Sequence, residues 1–193
     1  MLTLEFPGSH TLIDTIDAAV SKDSTSAITD SLRNSLCKLI RNNTVQLPAC
    51  VFEANDNHYA RRELYCSEQH GYCVVAMTWG PGQGTLIHDH AGMWCVEGVW
   101  DGALEVVQYE RMENDAVRYH FRPVGSIQAG PGSAGSLIPP HEYHTIRNPS
   151  DDDIAVSLHI YSGRMTHCAV FQPLDGDGWY RRDERQLGLD QVH

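Results

Sequence analysis

The chain has 193 residues, of which 41% are hydrophobic and 20% are charged, as in a globular domain with one sizeable core. Its 25 acidic and 14 basic residues give a net charge of −11, which argues against nucleic acid or an anionic membrane as a partner. No apolar run approaches the roughly 20 residues that span a bilayer, and no basic segment precedes an apolar one at the start of the sequence. We therefore expect a cytoplasmic protein whose six scattered cysteines are reduced.

The first part of the chain predicts two helices. Apolar residues recur at helical spacing between about residues 10 and 43, and the polar stretch SKDSTS at 21–26 separates the two helices. From about residue 72, short segments rich in Val, Ile, Tyr and Trp alternate with glycine and proline turns. The predicted strands cover residues 72–79, 93–100, 103–110, 116–122, 136–138, 144–148 and 154–162.

Regular short strands with such punctuation predict a mainly β fold, a sandwich or a barrel, that follows N-terminal α-helices. We expect one domain over residues 1–193, with helices in about 1–45 and a β-barrel in about 46–175. The polar and charged residues 176–193 are expected to form a C-terminal tail at the surface.

The segment TLIHDHAGMWC sets His88 and His90 one residue apart. On a strand, alternate residues point the same way, so both imidazoles can face one point while Asp89 faces away. Neutral imidazole is the commonest protein ligand for first-row metal ions. The pair therefore indicates a metal site, for which a third ligand must come from elsewhere in the chain.

Glycines at fixed distances strengthen this interpretation. Gly82 lies six residues before His88, and Gly102 lies twelve residues after His90. This spacing resembles the first motif of the cupin superfamily, with Cys95 in the place of the usual glutamate ligand. The resemblance implies a small antiparallel β-barrel, or jelly roll, that holds one metal ion.

The second cupin motif has a proline before its histidine and an asparagine four residues after it. Pro139, His144 and Asn148 fit this pattern, although His141 stands where the motif usually has glycine. The resemblance thus implies His144 as the third ligand. His141 is the competing candidate, but it follows a Pro-Pro pair and is expected in a turn.

The strand IAVSLHIYS alternates Ser157, His159 and Tyr161, so these three side chains face one side. Beside a metal site, a Ser-His-Tyr relay makes chemical sense. The serine fixes the tautomer of the histidine, and the histidine holds the tyrosine hydroxyl toward the substrate or oxygen.

The HDH pair, Cys95, His144 and the Ser157-Leu-His159-Ile-Tyr161 strand together resemble the cysteine dioxygenase family of thiol dioxygenases, over about residues 59–172. The resemblance implies that three neutral histidines bind Fe(II), and that O2 and a small thiol carboxylate are the substrates. The product is then a sulfinate. It also implies a thioether link between Cys95 and Tyr161. Zinc could bind the same histidines but has no redox chemistry, so the resemblance selects iron.

Cys95 lies five residues from His90, an odd number that places it on the opposite face of a regular strand. A bend or bulge at Gly92 would restore the orientation. Glu97 shares the parity of Cys95 and is the alternative ligand of a four-ligand cupin site. A small buried core residue is the alternative role for Cys95.

The family resemblance also implies a tyrosine and an arginine, one residue apart, that hold the substrate carboxylate. Tyr59 and Arg61 fit, and Arg62 is the alternative. The strand end reads Tyr161-Ser-Gly-Arg164, where animal members have two prolines. Arg164 is a candidate second cation that would suit a substrate with two carboxylates, or it is a solvated loop residue.

The sequence thus favours an iron-dependent thiol dioxygenase with L-cysteine as the first-choice substrate. The same chemistry on 3-mercaptopropionate or mercaptosuccinate is the alternative within the class. A metal-binding cupin without oxygenase activity, either an isomerase or a ligand sensor, is the alternative from another class. We expect a monomer or a small homo-oligomer.

Overall fold

The computed structural model describes residues 4–115, 117–176 and 178–193. Helices α1 (Ser9–Val20) and α2 (Thr25–Asn42) come first, and a short 3-10 turn spans Ala49–Phe52. The strands are β1 (Ala60–Ser67), β2 (Tyr72–Trp79), β3 (Ile87–His88), β4 (Cys95–Asp101), β5 (Leu104–Asn114), β6 (Arg118–Ala129), β7 (Ala134–Leu137), β8 (His144–Arg147), β9 (Ala155–Tyr161), β10 (His167–Pro173) and β11 (Trp179–Gln186).

The two helices match the prediction, including the break between them. Helix α2 begins after Ser24, whose side chain accepts a hydrogen bond from the backbone N–H of Ala27. It ends at Asn43, which has the left-handed conformation that often terminates helices. Its buried residues include Leu32 and Leu36, which are spaced one helical turn apart. No helix in the described part of the chain is both long and apolar enough to cross a membrane.

Antiparallel pairing builds the rest of the structure from two sheets. One sheet has the strand order β1-β2-β9-β4-β7, and the other is a closed barrel in the order β10-β11-β6-β5-β8-β3. Apolar residues of both helices pack on the outer face of the first sheet in one continuous core. The predicted mainly β, cupin-type fold with N-terminal helices is therefore confirmed.

Strand β9 has two faces of different character. Val156, Leu158 and Ile160 belong to the core under the helices. Tyr161 belongs instead to the core cluster inside the barrel. Because side chains alternate along a strand, Ser157 and His159 share this inner face with Tyr161, as predicted.

The C-terminal residues differ from the predicted surface tail. Trp179–Gln186 forms β11, which pairs with β10 on one side and with β6 on the other. Its charged side chains hid the strand in the sequence. They lie on the exposed surface, where Arg181 pairs with Asp183 and Arg182 pairs with Glu184.

The expectation of reduced cysteines is wrong for one pair. Cys66 and Cys73 lie directly opposite each other in the β1–β2 ladder, with their Cα atoms 4.2 Å apart, and they form a disulfide. Cys37, Cys50, Cys95 and Cys168 are free thiols.

Candidate metal centre

Two strands of the barrel bring His88 and His144 together. His88 ends β3 and lies directly opposite His144, the first residue of β8. His90 follows in the next turn, and ligand atoms of all three rings lie within 4.8 Å of one another. The ring centroids are 4.4 Å apart for His88 and His144, 5.1 Å for His90 and His144, and 5.4 Å for His88 and His90. The structure thus brings together the three residues that the sequence suggested as ligands.

Backbone carbonyls orient two of the three rings. The Nδ1–H of His88 donates to the carbonyl oxygen of Leu86 at 3.1 Å, and the Nδ1–H of His144 donates to that of Glu142 at 2.9 Å. These bonds leave the Nε2 atoms of both rings as the lone-pair donors. The Nδ1 of His90 is buried and has no hydrogen-bond partner among the described residues.

The three rings are neutral near pH 7, because burial opposes their charged forms. Burial and the neighbouring His144 lower the pKa of His88 to about 3, and burial lowers that of His144 to about 4. Burial also holds the pKa of His90 well below its usual range. Three neutral nitrogen donors around one point fit a divalent first-row metal ion.

The turn after His90 gives Cys95 its orientation. Ala91 and Gly92 both have positive φ angles, 51° and 80°, which break the alternation of a regular strand. Asp89 faces away from the metal site, and its Oδ1 accepts hydrogen bonds from the N–H groups of Ala91 at 3.1 Å and Ala169 at 2.9 Å. Cys95 consequently faces the barrel interior, as the predicted bend requires.

A chain of hydrogen bonds runs along the inner face of β9. The Nε1–H of Trp79 donates to Ser157 Oγ at 2.9 Å, and Ser157 Oγ lies 2.8 Å from His159 Nε2. Among the described residues, His159 Nε2 is the acceptor available to the Ser157 proton, and this assignment places the proton of His159 on Nδ1. That Nδ1 lies 3.4 Å from the Tyr161 hydroxyl. The sequence identified three members of this relay but not Trp79.

Cys95 and Tyr161 are cross-strand neighbours on β4 and β9. The Cys95 sulfur lies 3.9 Å from His159 Nδ1, which itself lies 3.4 Å from the Tyr161 hydroxyl. Burial raises the pKa of both Cys95 and Tyr161 well above their usual ranges, so both groups are protonated near pH 7. Cys95 and Tyr161 thus lie side by side in the barrel core.

Glu97 is a buried carboxyl group beside the relay. Its Oε2 lies 3.5 Å from His159 Nδ1 and 3.8 Å from His144 Nε2, and burial raises its pKa to about 7. It is not part of the histidine cluster in which every ligand atom lies within 4.8 Å of the others. Glu97 therefore neighbours the candidate metal position without completing a four-residue cluster.

The two adjacent arginines of β1 point in different directions. The Arg61 guanidinium lines the cavity at the histidines and donates to the carbonyl oxygens of Gly188 at 3.0 Å and Met165 at 3.3 Å. The Arg62 side chain instead donates to Thr78 Oγ1 at 3.0 Å, outside the cavity lining. Of the two, Arg61 can meet a substrate in the cavity.

Arg164 lies away from the cavity, contrary to its suggested role at the pocket mouth. It forms an ion pair of 2.9 Å with Glu63, and its side chain is 60% exposed. Arg185, on β11, lines the cavity together with Arg61 and Tyr59. Sequence reasoning missed Arg185 because the charged segment around it looked like a surface tail.

The cavity at the histidines has a volume of about 30 Å³ and adjoins an outer chamber of about 430 Å³. Four residues line both spaces and therefore mark the passage between them: Tyr59, Arg61, Arg185 and Leu187. The jelly-roll fold and this centre define a cupin-type protein with a three-histidine candidate metal site.

Comparison with known proteins narrows this class. Residues 49–173 match the family described as cysteine dioxygenase type I, and the chain belongs to that family. Cysteine dioxygenase type 1 of Danio rerio is 24% identical over 125 residues, which cover 65% of this chain and 62% of that protein. The Homo sapiens protein of the same name is 26% identical over 124 residues, covering 63% of this chain and 60% of that protein.

The chain thus aligns with a little less than two thirds of the length of these relatives. Among solved structures, oxalate oxidase in complex with the substrate analogue glycolate has 18% sequence identity and a TM-score of 0.45. The aligned region covers 61% of this chain and 59% of the oxalate oxidase chain.

Proposed function

We propose that the protein is an iron-dependent thiol dioxygenase, which adds both atoms of O2 to the sulfur of a small thiol acid to give a sulfinate. The observation that supports this proposal is the cluster of His88, His90 and His144, with the Tyr161 ring 5.8 Å from that of His90. Membership in the cysteine dioxygenase type I family supports the same activity. L-Cysteine is the first-choice substrate, and 3-mercaptopropionate and mercaptosuccinate are the alternatives.

The histidines would hold Fe(II) through their ring nitrogens. Because all three rings are neutral, the ion keeps its full positive charge, which favours an anionic sulfur ligand. When bound, iron supplies the redox chemistry that lets O2 react with a thiolate. Three protein ligands would leave room at the ion for the substrate and the gas.

The relay on β9 would hold a proton at the Tyr161 oxygen. With Ser157 donating to Nε2 of His159, the Nδ1–H of His159 can donate to the tyrosine oxygen. The Tyr161 hydroxyl is then free to donate its own proton toward the cavity, which it lines. Its raised pKa keeps this proton in place near pH 7.

The isotopic composition of the product tests the reaction type. With 18O2 and iron-loaded protein, we expect a sulfinate that carries two labelled oxygen atoms, measured by mass spectrometry. A product with oxygen from water, or oxidation only to the disulfide, would contradict a dioxygenase reaction.

Arg61 is the proposed binding group for the substrate carboxylate, with Tyr59 assisting. An Arg61→Gln variant should raise KM for L-cysteine about tenfold or more, because a charge-assisted hydrogen-bond pair contributes about 1.5–3 kcal/mol. Steady-state O2 consumption measures this change. Arg62→Gln is the matched control: it removes a buried bond to Thr78 and should lower stability with KM unchanged. Equal KM changes in both variants would argue against Arg61 as the carboxylate group.

We also propose a thioether between Cys95 Sγ and the ring carbon next to the Tyr161 hydroxyl. The bond replaces the thiol hydrogen and one ring hydrogen, and O2 takes up the two protons and two electrons as hydrogen peroxide. On a denaturing gel, the wild type should give two bands that collapse to one in Cys95→Ala, and the linked form should weigh less by two hydrogen atoms. A single wild-type band at the position of the Cys95→Ala band would show that no link forms.

A further inference from the structure

A second arginine lies at the entrance to the candidate metal cavity. Arg185 lies opposite Cys168 in the β10–β11 ladder, and Cys168 lines the cavity. Arg185 and Arg61 both line this cavity, and both also line the outer chamber. A molecule that passes from the outer chamber to the histidines therefore passes Arg61 and Arg185.

Electrostatic effects on two neighbours show that both positive charges act on the same small volume. Burial raises the pKa of Tyr59, and the charges of Arg61 and Arg185 both oppose this rise. Burial and Asp89 raise the pKa of Cys168 to about 11, and the same two arginines again oppose the rise. Tyr59 and Cys168 line the cavity together with Arg61 and Arg185.

The two positive charges have no carboxylate partner in the described part of the chain, since no ion pair within 4.0 Å involves either guanidinium. This is unusual in a protein with 25 acidic and 14 basic residues. Asp190 is the carboxylate in the outer chamber, and its oxygens accept from the ring of His58 at 3.0 Å and from the backbone N–H of Arg61 at 2.9 Å. Two unpaired guanidinium groups at a cavity form a site for anions.

We propose that Arg61 and Arg185 together bind a thiol substrate that carries two carboxylates, one for each guanidinium. This inference rests on the proposed dioxygenase function. Within that function, it shifts the expected substrate preference from L-cysteine to a thiol with two carboxylates. L-Cysteine has one carboxylate, and its ammonium group would meet the positive charge of the second arginine. A dicarboxylic thiol, for which mercaptosuccinate is the probe, matches both charges.

Substrate preference in an Arg185→Gln variant tests this assignment. In the wild type, kcat/KM for mercaptosuccinate should exceed that for 3-mercaptopropionate, which differs by one carboxylate, by about tenfold or more. Arg185→Gln should abolish most of this ratio, because KM should rise more for mercaptosuccinate than for 3-mercaptopropionate. Arg182→Gln is the matched control, because it has the same charge change on the opposite face of β11 and should keep the ratio. A ratio that survives in Arg185→Gln would overturn the proposal.

Succinate binding to the iron-loaded protein, measured by calorimetry without any thiol, separates this proposal from the proposed reaction. Succinate should bind more tightly than propionate, and Arg185→Gln should remove the difference. Such binding by a protein that is inert toward every thiol would overturn the reaction and keep the two-arginine site. Thiol turnover with equal binding of succinate and propionate would overturn the two-arginine site alone.

Discussion

Replacement of His144 by alanine should abolish iron retention and thiol-dependent O2 uptake. Mutation of a residue that hydrogen-bonds a metal ligand typically lowers the affinity for the metal 10- to 100-fold. Loss of one of the three ligands themselves should therefore lower the affinity for iron by more than about 100-fold. Iron analysis after gel filtration should show the metal content of the variant reduced to background. The fold should survive, because the apolar core of the barrel, which includes Ile146 on the same strand, remains in place.

His141→Ala is the matched control for this prediction. His141 lies three residues earlier, in the exposed turn before β8, and is not part of the histidine cluster. This variant should retain iron and O2 uptake at the wild-type level. Loss of iron from His141→Ala together with its retention by His144→Ala would show that the third ligand has been misassigned.

Metal-free protein should become less stable as the pH falls from 7 to 5.5. His90, His144 and His159 are buried with lowered pKa values, so near pH 6 the unfolded chain binds protons that the folded protein does not. Stability from these groups is present above pH 6.5 and is lost below it, at about 1 kcal/mol for each histidine by pH 5.5. His88 adds to this loss, with a smaller share because its ring is partly exposed.

Glu97 opposes this trend, because burial raises its pKa to about 7 and its folded form takes up a proton in the same pH range. Protonation of Glu97 offsets about 1 to 2 kcal/mol of the stability that the histidines lose. The free energy of unfolding should therefore fall by about 2–3 kcal/mol between pH 7 and 5.5. Urea unfolding of metal-free protein at the two pH values measures it. Equal or higher stability at pH 5.5 would show that the imidazoles are not held neutral by the fold.

Strong periodicity explains which parts of the fold the sequence could predict. The helical spacing before residue 43 and the apolar segments at 72–79 and 154–162 correspond to α1, α2, β2 and β9. Strands β1 and β11 were missed because charged residues interrupt their apolar pattern, and β10 was missed as well, although its centre is apolar. The pairing that closes the barrel with β11 depends on contacts distant in sequence, which local patterns do not carry.

In the candidate site, too, local sequence patterns identified some residues and missed others. Motif spacing was enough to select His88, His90 and His144, and strand alternation was enough to align Ser157, His159 and Tyr161. The second cation at the cavity could not be identified in this way. Arg164, the candidate, is close to Tyr161 in sequence, but it pairs with Glu63 at the surface.

Arg185 reaches the cavity only because β11 joins the barrel and places it opposite Cys168. Trp79 likewise joins the relay across the β2–β9 pairing, at the distance of a single hydrogen bond to Ser157. Both residues belong to the site through strand pairing, which only the three-dimensional structure reveals.

Oxygen consumption by the iron-loaded protein tests the central claim most directly. We predict that at least one of L-cysteine, 3-mercaptopropionate and mercaptosuccinate starts O2 uptake in proportion to sulfinate formed, and that His144→Ala shows none. A wild-type sample with about one iron per chain that consumes no O2 with any of the three thiols would contradict the account. That result would favour a metal-binding cupin without oxygenase activity.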